Sequence, residues 1–158
     1  MGDLTLEQRV ARLEAIEDIR RLKAEYCGYC DDGYPPDKLG PLFVDDAVWD
    51  GGQFGRYEGR EAIEKFFAGV SDEIAFAAHL VLNELIEVDG DSAFAKWRLI
   101  MPATVLADGD KEDRWLLADY HDTYVKRDGR WMFQGVDLFV NFFAPHAGGW
   151  AELAARRP

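Results

Sequence analysis

The sequence predicts an α+β domain, with helices first and a sheet of long antiparallel strands after them. Apolar residues in roughly the first thirty positions recur every three or four residues, the period of an amphipathic helix. From Ala78 onward the pattern changes to long strand-like segments separated by Asp-Gly turns. Helices followed by such a meander pack on one face of a curved sheet, which leaves a cone-shaped hollow between the two layers. The chain has 158 residues and no internal repeat, low-complexity stretch or linker, so residues 1–158 read as a single domain.

The first helix is marked by Leu6, Val10, Leu13, Ile16, Ile19, Leu22, Tyr26 and Tyr29. Thr5 and Gln8 have the spacing of a capping box at its start. It is expected to stop around Cys30-Asp31-Asp32-Gly33, because Pro35-Pro36 cannot continue a helix. A short irregular helix is expected over Lys38 to Phe43, and a strand at Ala47-Val48-Trp49. After a glycine-rich turn, Arg56 to Glu58 reads as a short return strand. A further helix restarts at Gly59, with Ile63, Phe66 and Phe67 on one face. Four strands follow, over 79–88, 92–105, 115–126 and 130–143. Pro102 lacks a backbone donor and predicts a bulge or an edge position in the second. From about residue 145 the tail is expected to be weakly ordered.

Composition narrows the function. Hydrophobic residues make up 48% of the chain and aromatic ones 13%, enough for a core and an apolar pocket besides. A formal net charge of −12 without a basic stripe argues against nucleic acid and anionic membranes as partners. No apolar run approaches the ~20 residues that span a bilayer. No stretch at the start reads as a secretory signal, so the expected compartment is cytoplasmic. Cys27 and Cys30 form a CxxC motif, but it falls within a helix and lacks a second ligand pair, so both read as packing residues.

Several segments resemble the SnoaL-like branch of the NTF2-like superfamily. They are Ile19 to Leu22 with Tyr26 and Asp31, then Leu42 to Trp49, then Gly59 to Ile63. His79 with Asn83 and Val88 to Asp91 come next, and Tyr120 to Asp122 with Arg127 to Trp131 close the set. The likeness runs from about residue 13 to 143 and implies an NTF2-like (cystatin-like) cone. It is strongest to the lyases related to scytalone dehydratase, bile-acid 7α-dehydratase and hexachlorocyclohexane dehydrochlorinase. The resemblance pairs an Asp at the end of the first helix, Asp31 with Asp32 as its rival, with His79 at the start of a strand. It also gives Tyr26 a place in the pocket. In two places the sequence departs from the pattern. The position of an arginine on the last strand falls near Gly135, and no second His or Asp lies near Pro102.

The chemistry expected of these residues is general acid–base catalysis. Imidazole is largely neutral and basic near pH 7, and a carboxylate on its other nitrogen fixes the tautomer. The expected activity is therefore a cofactor-independent lyase, most simply a dehydratase, acting on a small hydrophobic and aromatic or polycyclic molecule. His79 is the base, Asp31 orients it, and Tyr26 or protonated His79 assists the leaving oxygen. Alternatives are an isomerase or polyketide cyclase on the same fold, and a non-catalytic ligand-binding or oxygenase small-subunit module. Trp49, Asn83, His121, Asn141 and Asp32 are the expected substrate contacts. On the strand of His121, either it or the set of Tyr120 and Asp122 faces the pocket. No metal-ligand set or phosphate loop is present, and the chemistry needs neither metal nor organic cofactor. Large apolar residues at both odd and even positions of 93–101 and 131–143 predict that both sheet faces are covered. A homo-oligomer is expected, with a trimer favoured over a dimer.

Overall fold

Helix α1, Leu6–Asp31, opens the fold and sets the position of the site at its far end. The computed structural model describes residues 4–107 and 109–148. Thr5 and Gln8 form the expected capping box, each bonding the other's backbone. At 26 residues the helix is about 39 Å long and outruns the sheet it packs on. Its buried face begins at Ala15 and includes Ile19, Leu22, Lys23, Tyr26, Cys27 and Cys30. The apolar residues nearer its start, Leu6, Val10 and Leu13, are exposed.

The next elements are α2, Pro36–Leu39, and a 3-10 turn, Gly40–Leu42. They occupy the span of the expected second helix, except that Phe43 already opens strand β1, Phe43–Asp50. Then follow β2, Arg56–Glu58, and α3, Arg60–Val70. The remaining strands are β3, Ile74–Ala77, β4, Leu80–Asp89, β5, Ser92–Ala107, β6, Asp110–Arg127, and β7, Arg130–Pro145. The tail differs from expectation where it is described. Strand β7 runs to Pro145, and His146–Gly148 forms a 3-10 turn held by Trp115 Nε1 donating to His146 Nδ1 at 2.9 Å. The rest of the expected tail lies outside the described residues.

The sheet is seven-stranded, curved and unclosed, in the order β2-β1-β7-β6-β5-β3, with β4 also on β5. It is mixed rather than wholly antiparallel, because β1 runs parallel to β7. Helices α1 and α3 cover its concave face, as in the cystatin-like cone. The edge beside β5 is split between two strands. Strand β3 pairs with its far part through Ala77 and Ala103, and β4 with its near part from Leu80 and Ile100. Pro102 stands opposite the gap. Its carbonyl accepts from Ala78 N at 3.1 Å, so its missing N–H faces the same gap, where a continuous ladder would need a donor. His79 lies in this gap.

Candidate functional site

The C-terminal end of α1 builds one wall. Tyr26 and Cys30 are a turn apart and point inward, and Asp31 ends the helix. Chain reversal is fixed by Asp32 N donating to Gly28 O and Tyr34 N to Tyr29 O, both at 3.0 Å. Gly33 at φ +84° and Tyr34 at φ +56° make the left-handed turn. Pro35 then leads the chain away.

His79 meets this wall from the sheet edge. Its backbone N donates to Asp31 Oδ1 at 2.8 Å, and its Nδ1 meets the same oxygen at 2.6 Å. An ionised carboxylate only accepts, so Nδ1 carries the proton and Nε2 keeps its lone pair. The Asp31 side chain is 36% exposed and that of His79 only 7%. The carboxylate therefore faces water while the ring lines the interior.

The hollow itself measures about 360 Å³. Its walls are largely aromatic, with Trp49, Phe54, Phe66, Phe67 and Phe143 among them. Phe66 stacks on Tyr57 at 4.2 Å between ring centres and packs on Trp49 at 4.6 Å. Polar groups enter from Tyr26, Tyr34, Tyr120 and His79, with Gln53 and Glu73 elsewhere on the lining. Among the described residues, no lysine or arginine lines the hollow. A Cβ at Gly135 would meet Thr123 Oγ1 at 2.8 Å, so this position has no room for a side chain without a shift.

The structure brings Tyr26, Trp49, Asp31 and His79 together. Trp49 Nε1 donates to the Tyr26 hydroxyl at 3.0 Å. The other expected contacts do not line the hollow. Asp32 is exposed and caps α1 through its backbone. Asn83 is exposed, at φ +52° within a register shift of β4. His121 packs between Phe94 and Phe139 on the outer face of the sheet. Asn141 donates to Asp119 Oδ2 at 3.2 Å, beside the Arg98–Asp119 pair. On β6 it is therefore the Tyr120 and Asp122 set that faces inward, because one strand alternates its faces.

Two features escaped the sequence reading. One is Tyr34, placed in the hollow by the left-handed turn. The other is a buried ion pair, Lys23 Nζ to Asp122 Oδ2 at 2.8 Å, with both side chains fully buried. Tyr124 donates to the same Asp122 oxygen at 2.9 Å, and Trp97 Nε1 donates to Tyr124 at 3.2 Å. The Lys23 ammonium also sits 3.3 Å from the centre of the Tyr120 ring. Burial pushes the Asp122 carboxyl up, against the pull of Lys23 and the Tyr124 hydrogen bond. A lysine within the apolar stripe of α1 was the available signal. Cys27 and Cys30 are free buried thiols. Burial pushes Cys27 up to about 11 and Cys30 well above its ordinary value. Both are thus protonated packing groups at neutral pH, as the sequence suggested.

The SnoaL-like domain family matches residues 11–137. The chain belongs to this SnoaL-like family. No curated protein matches it. Solved structures place this SnoaL-like chain among NTF2-like folds. A candidate scytalone dehydratase from Novosphingobium aromaticivorans is 24% identical, with a TM-score of 0.76 over 85% of this chain and 89% of that one. Hexachlorocyclohexane dehydrochlorinase LinA-type3 from Novosphingobium barchaimii is 22% identical, with a TM-score of 0.79 over 95% and 99%. A protein of unknown function with a cystatin-like fold from Nostoc punctiforme is 20% identical, with a TM-score of 0.65 over 88% and 95%. At these identities the likeness establishes the SnoaL-like fold. Among the described residues no helix is long and apolar enough to cross a membrane, and no group of three or more His, Cys, Asp or Glu is placed to hold a metal ion.

Proposed function

We propose that this SnoaL-like protein is a cofactor-independent lyase acting on a small hydrophobic, aromatic or polycyclic molecule by elimination. The observation that carries the reading is the Asp31–His79 pair, in which a single carboxylate oxygen holds both the ring and the backbone of His79. His79 Nε2 removes a proton made acidic by a neighbouring carbonyl or phenol. Asp31 orients the ring and steadies the imidazolium, which returns the proton to the departing oxygen. Similar structures bearing the names dehydratase and dehydrochlorinase support elimination. The aromatic walls and the lack of lysine or arginine among the described lining residues support a neutral, planar substrate.

The same lack leaves a departing anion without a cationic partner, which favours isomerisation or cyclisation as the second reading. Product mass separates the two: loss of a small molecule means elimination, and unchanged mass means isomerisation. The 2.6 Å contact and the open hollow support an enzyme over a non-catalytic binding module. Single-turnover rates of His79→Ala, on a substrate found by screening aromatic hydroxy-ketones, test the proposal. A loss of about 10²–10⁴-fold is expected for a general base. Retention of more than about a tenth of the rate would refute it.

The proposed assembly is a homo-oligomer, a trimer before a dimer. Phe76, Leu80, Leu85 and Phe139 are each more than half exposed, which a second copy would cover. Sedimentation equilibrium at micromolar concentration decides it, and a mass near the single-chain 17.9 kDa would exclude assembly.

A further inference from the structure

Helix α1 changes sides along its length. From Ala15 onward its buried residues, among them Ile19, Leu22, Tyr26 and Cys30, follow one face and meet the rest of the domain. Nearer the start, that same face carries Gln8 and Arg12, both exposed. The apolar residues there are Leu6, Val10 and Leu13, which are 71%, 45% and 66% exposed. At about 100° per residue, they lie roughly 145° around the helix from the buried face. The domain that α1 packs on therefore cannot cover them. The stripe is also a formed surface, because the capping box of Thr5 and Gln8 fixes the helix start ahead of it.

The stripe has the spacing of a coiled-coil seam. Leu6, Val10 and Leu13 follow one another at four and three residues, so they take the d, a and d positions of a heptad. Arg9 then falls at g and Glu14 at e, one on each flank of the seam. In a parallel contact the g flank of one helix meets the e flank of the other, so Arg9 faces Glu14 of the second copy. An antiparallel contact sets e against e and g against g, which brings like charges together on both flanks. Among the described residues neither Arg9 nor Glu14 has an ion pair, so both are available. The seam also has a defined end. The next a and d positions are Glu17 and Arg20, already paired within the chain, Glu17 with Arg21 at 3.4 Å and Arg20 with Glu84 at 3.1 Å.

We propose that the start of α1 is a self-association surface, on which a second copy of this chain packs its own Leu6, Val10 and Leu13 in parallel, with Arg9 paired to Glu14 across the seam. The contact is independent of the lyase reading and adds to the proposed assembly a site away from the apolar patch on the sheet. A seam this short would not hold two free peptides together, because ordering each helix costs more than so few contacts return. Here the fold has already ordered the helix. The flanking pairs are exposed and contribute little to affinity; they select the direction. With a net charge of −12 copies repel one another, and Arg9 places a positive group where the second copy presents Glu14.

Leu6→Cys and Leu13→Cys, each made alone in the full chain and mildly oxidised, read the contact directly. Cys27 and Cys30 are buried, so the wild-type protein supplies the background. A parallel seam sets each position against itself, and each variant is expected to form a disulfide-linked pair of chains alone. An antiparallel seam would cross-link only a mixture of the two. Arg9→Glu or Glu14→Arg is expected to lower association in sedimentation equilibrium by about three- to tenfold, and the two together to restore it. Leu6→Glu with Leu13→Glu is expected to lower it by at least about tenfold with an unchanged circular dichroism spectrum, since both side chains are exposed. No cross-link at either position, cross-linking confined to the mixture, or charge reversals that do nothing or do not compensate would each overturn the proposal. A protein that assembles yet cross-links at neither position uses the sheet face instead, so failure of the seam and failure of assembly are read separately. A monomer at every concentration overturns both.

Discussion

Two acid–base pairs spring from the same helix and do different work. Asp31 and Lys23 lie eight positions apart on α1, about 12 Å along its axis. Asp31 meets His79 at the rim, where the carboxylate is partly exposed and one ring nitrogen is left over from the pair. Lys23 meets Asp122 in full burial, walled by Tyr120, Tyr124 and Trp97. The sealed pair carries the perturbed carboxyl, raised by burial. The rim pair carries the free valence that proton transfer requires. A perturbed group therefore does not by itself mark the reactive one, since structural ion pairs also shift titration. Access to the hollow and an unused lone pair separate the two.

Removing one partner of the sealed pair is the harshest way to break this comparison. Lys23→Met leaves Asp122 buried without its cation and is expected to cost about 3–5 kcal/mol in chemical denaturation. Replacing both partners, Lys23→Met with Asp122→Leu, is expected to recover most of that loss, because no uncompensated charge remains. A double variant as unstable as the single would mean that the pair stabilises the fold outright.

Alkaline titration sharpens the contrast next. Cys27 sits beside the sealed pair, and its thiol is pushed from an ordinary value of 9.0 up to about 11 by burial. The unfolded chain releases this proton first, so the contribution is complete below pH 9 and lost as pH rises from 9 to 11. The expected loss is on the order of 2 kcal/mol over that window. Burial of Tyr26, Tyr120 and Tyr124 extends the same trend to higher pH. Denaturation midpoints of Cys27→Ala should fall less steeply between pH 9 and 11 than those of wild type, and parallel slopes would contradict the assignment.

The smallest effect distinguishes neighbours at the rim. Asp32 is exposed, faces the negative end of α1 and holds nothing with its carboxylate that bears on His79. Asp32→Asn is expected to change stability by less than about 0.5 kcal/mol, with no loss of turnover. A large loss of turnover would transfer the orienting role from Asp31 to Asp32.

Local patterns made much of the fold legible, and long-range pairing hid the rest. The capping box of α1 and the hairpins of β4 to β7 are short-range features, and the residues name them. Strand β3 is four residues long and exists only through its pairing with β5. The parallel contact of β1 with β7 joins Trp49 to Val136 and leaves no mark in either segment. In the site, Asp31 and His79 were legible because the order of motifs resembled a family. His121 was not placed, because both sets of residues on β6 are polar or aromatic and parity alone decides. Asn83 was misread because a register shift in β4 turns it outward. Tyr34 was hidden because its direction depends on how the helix cap winds, not on a motif.

The gap opposite Pro102 ties the chemistry to the architecture at a single atom. Ala78 N already bonds the Pro102 carbonyl, so the next amide, that of His79, points away from β5 and needs a partner outside the sheet. Here Asp31 Oδ1 receives that amide together with the imidazole. One oxygen thus holds both the backbone and the ring of His79. Whatever loosens the carboxylate from the ring also frees this amide, so the His79 amide becomes a native reporter of the site. Its hydrogen-exchange protection measures how firmly the carboxylate holds the ring, without any substrate at all.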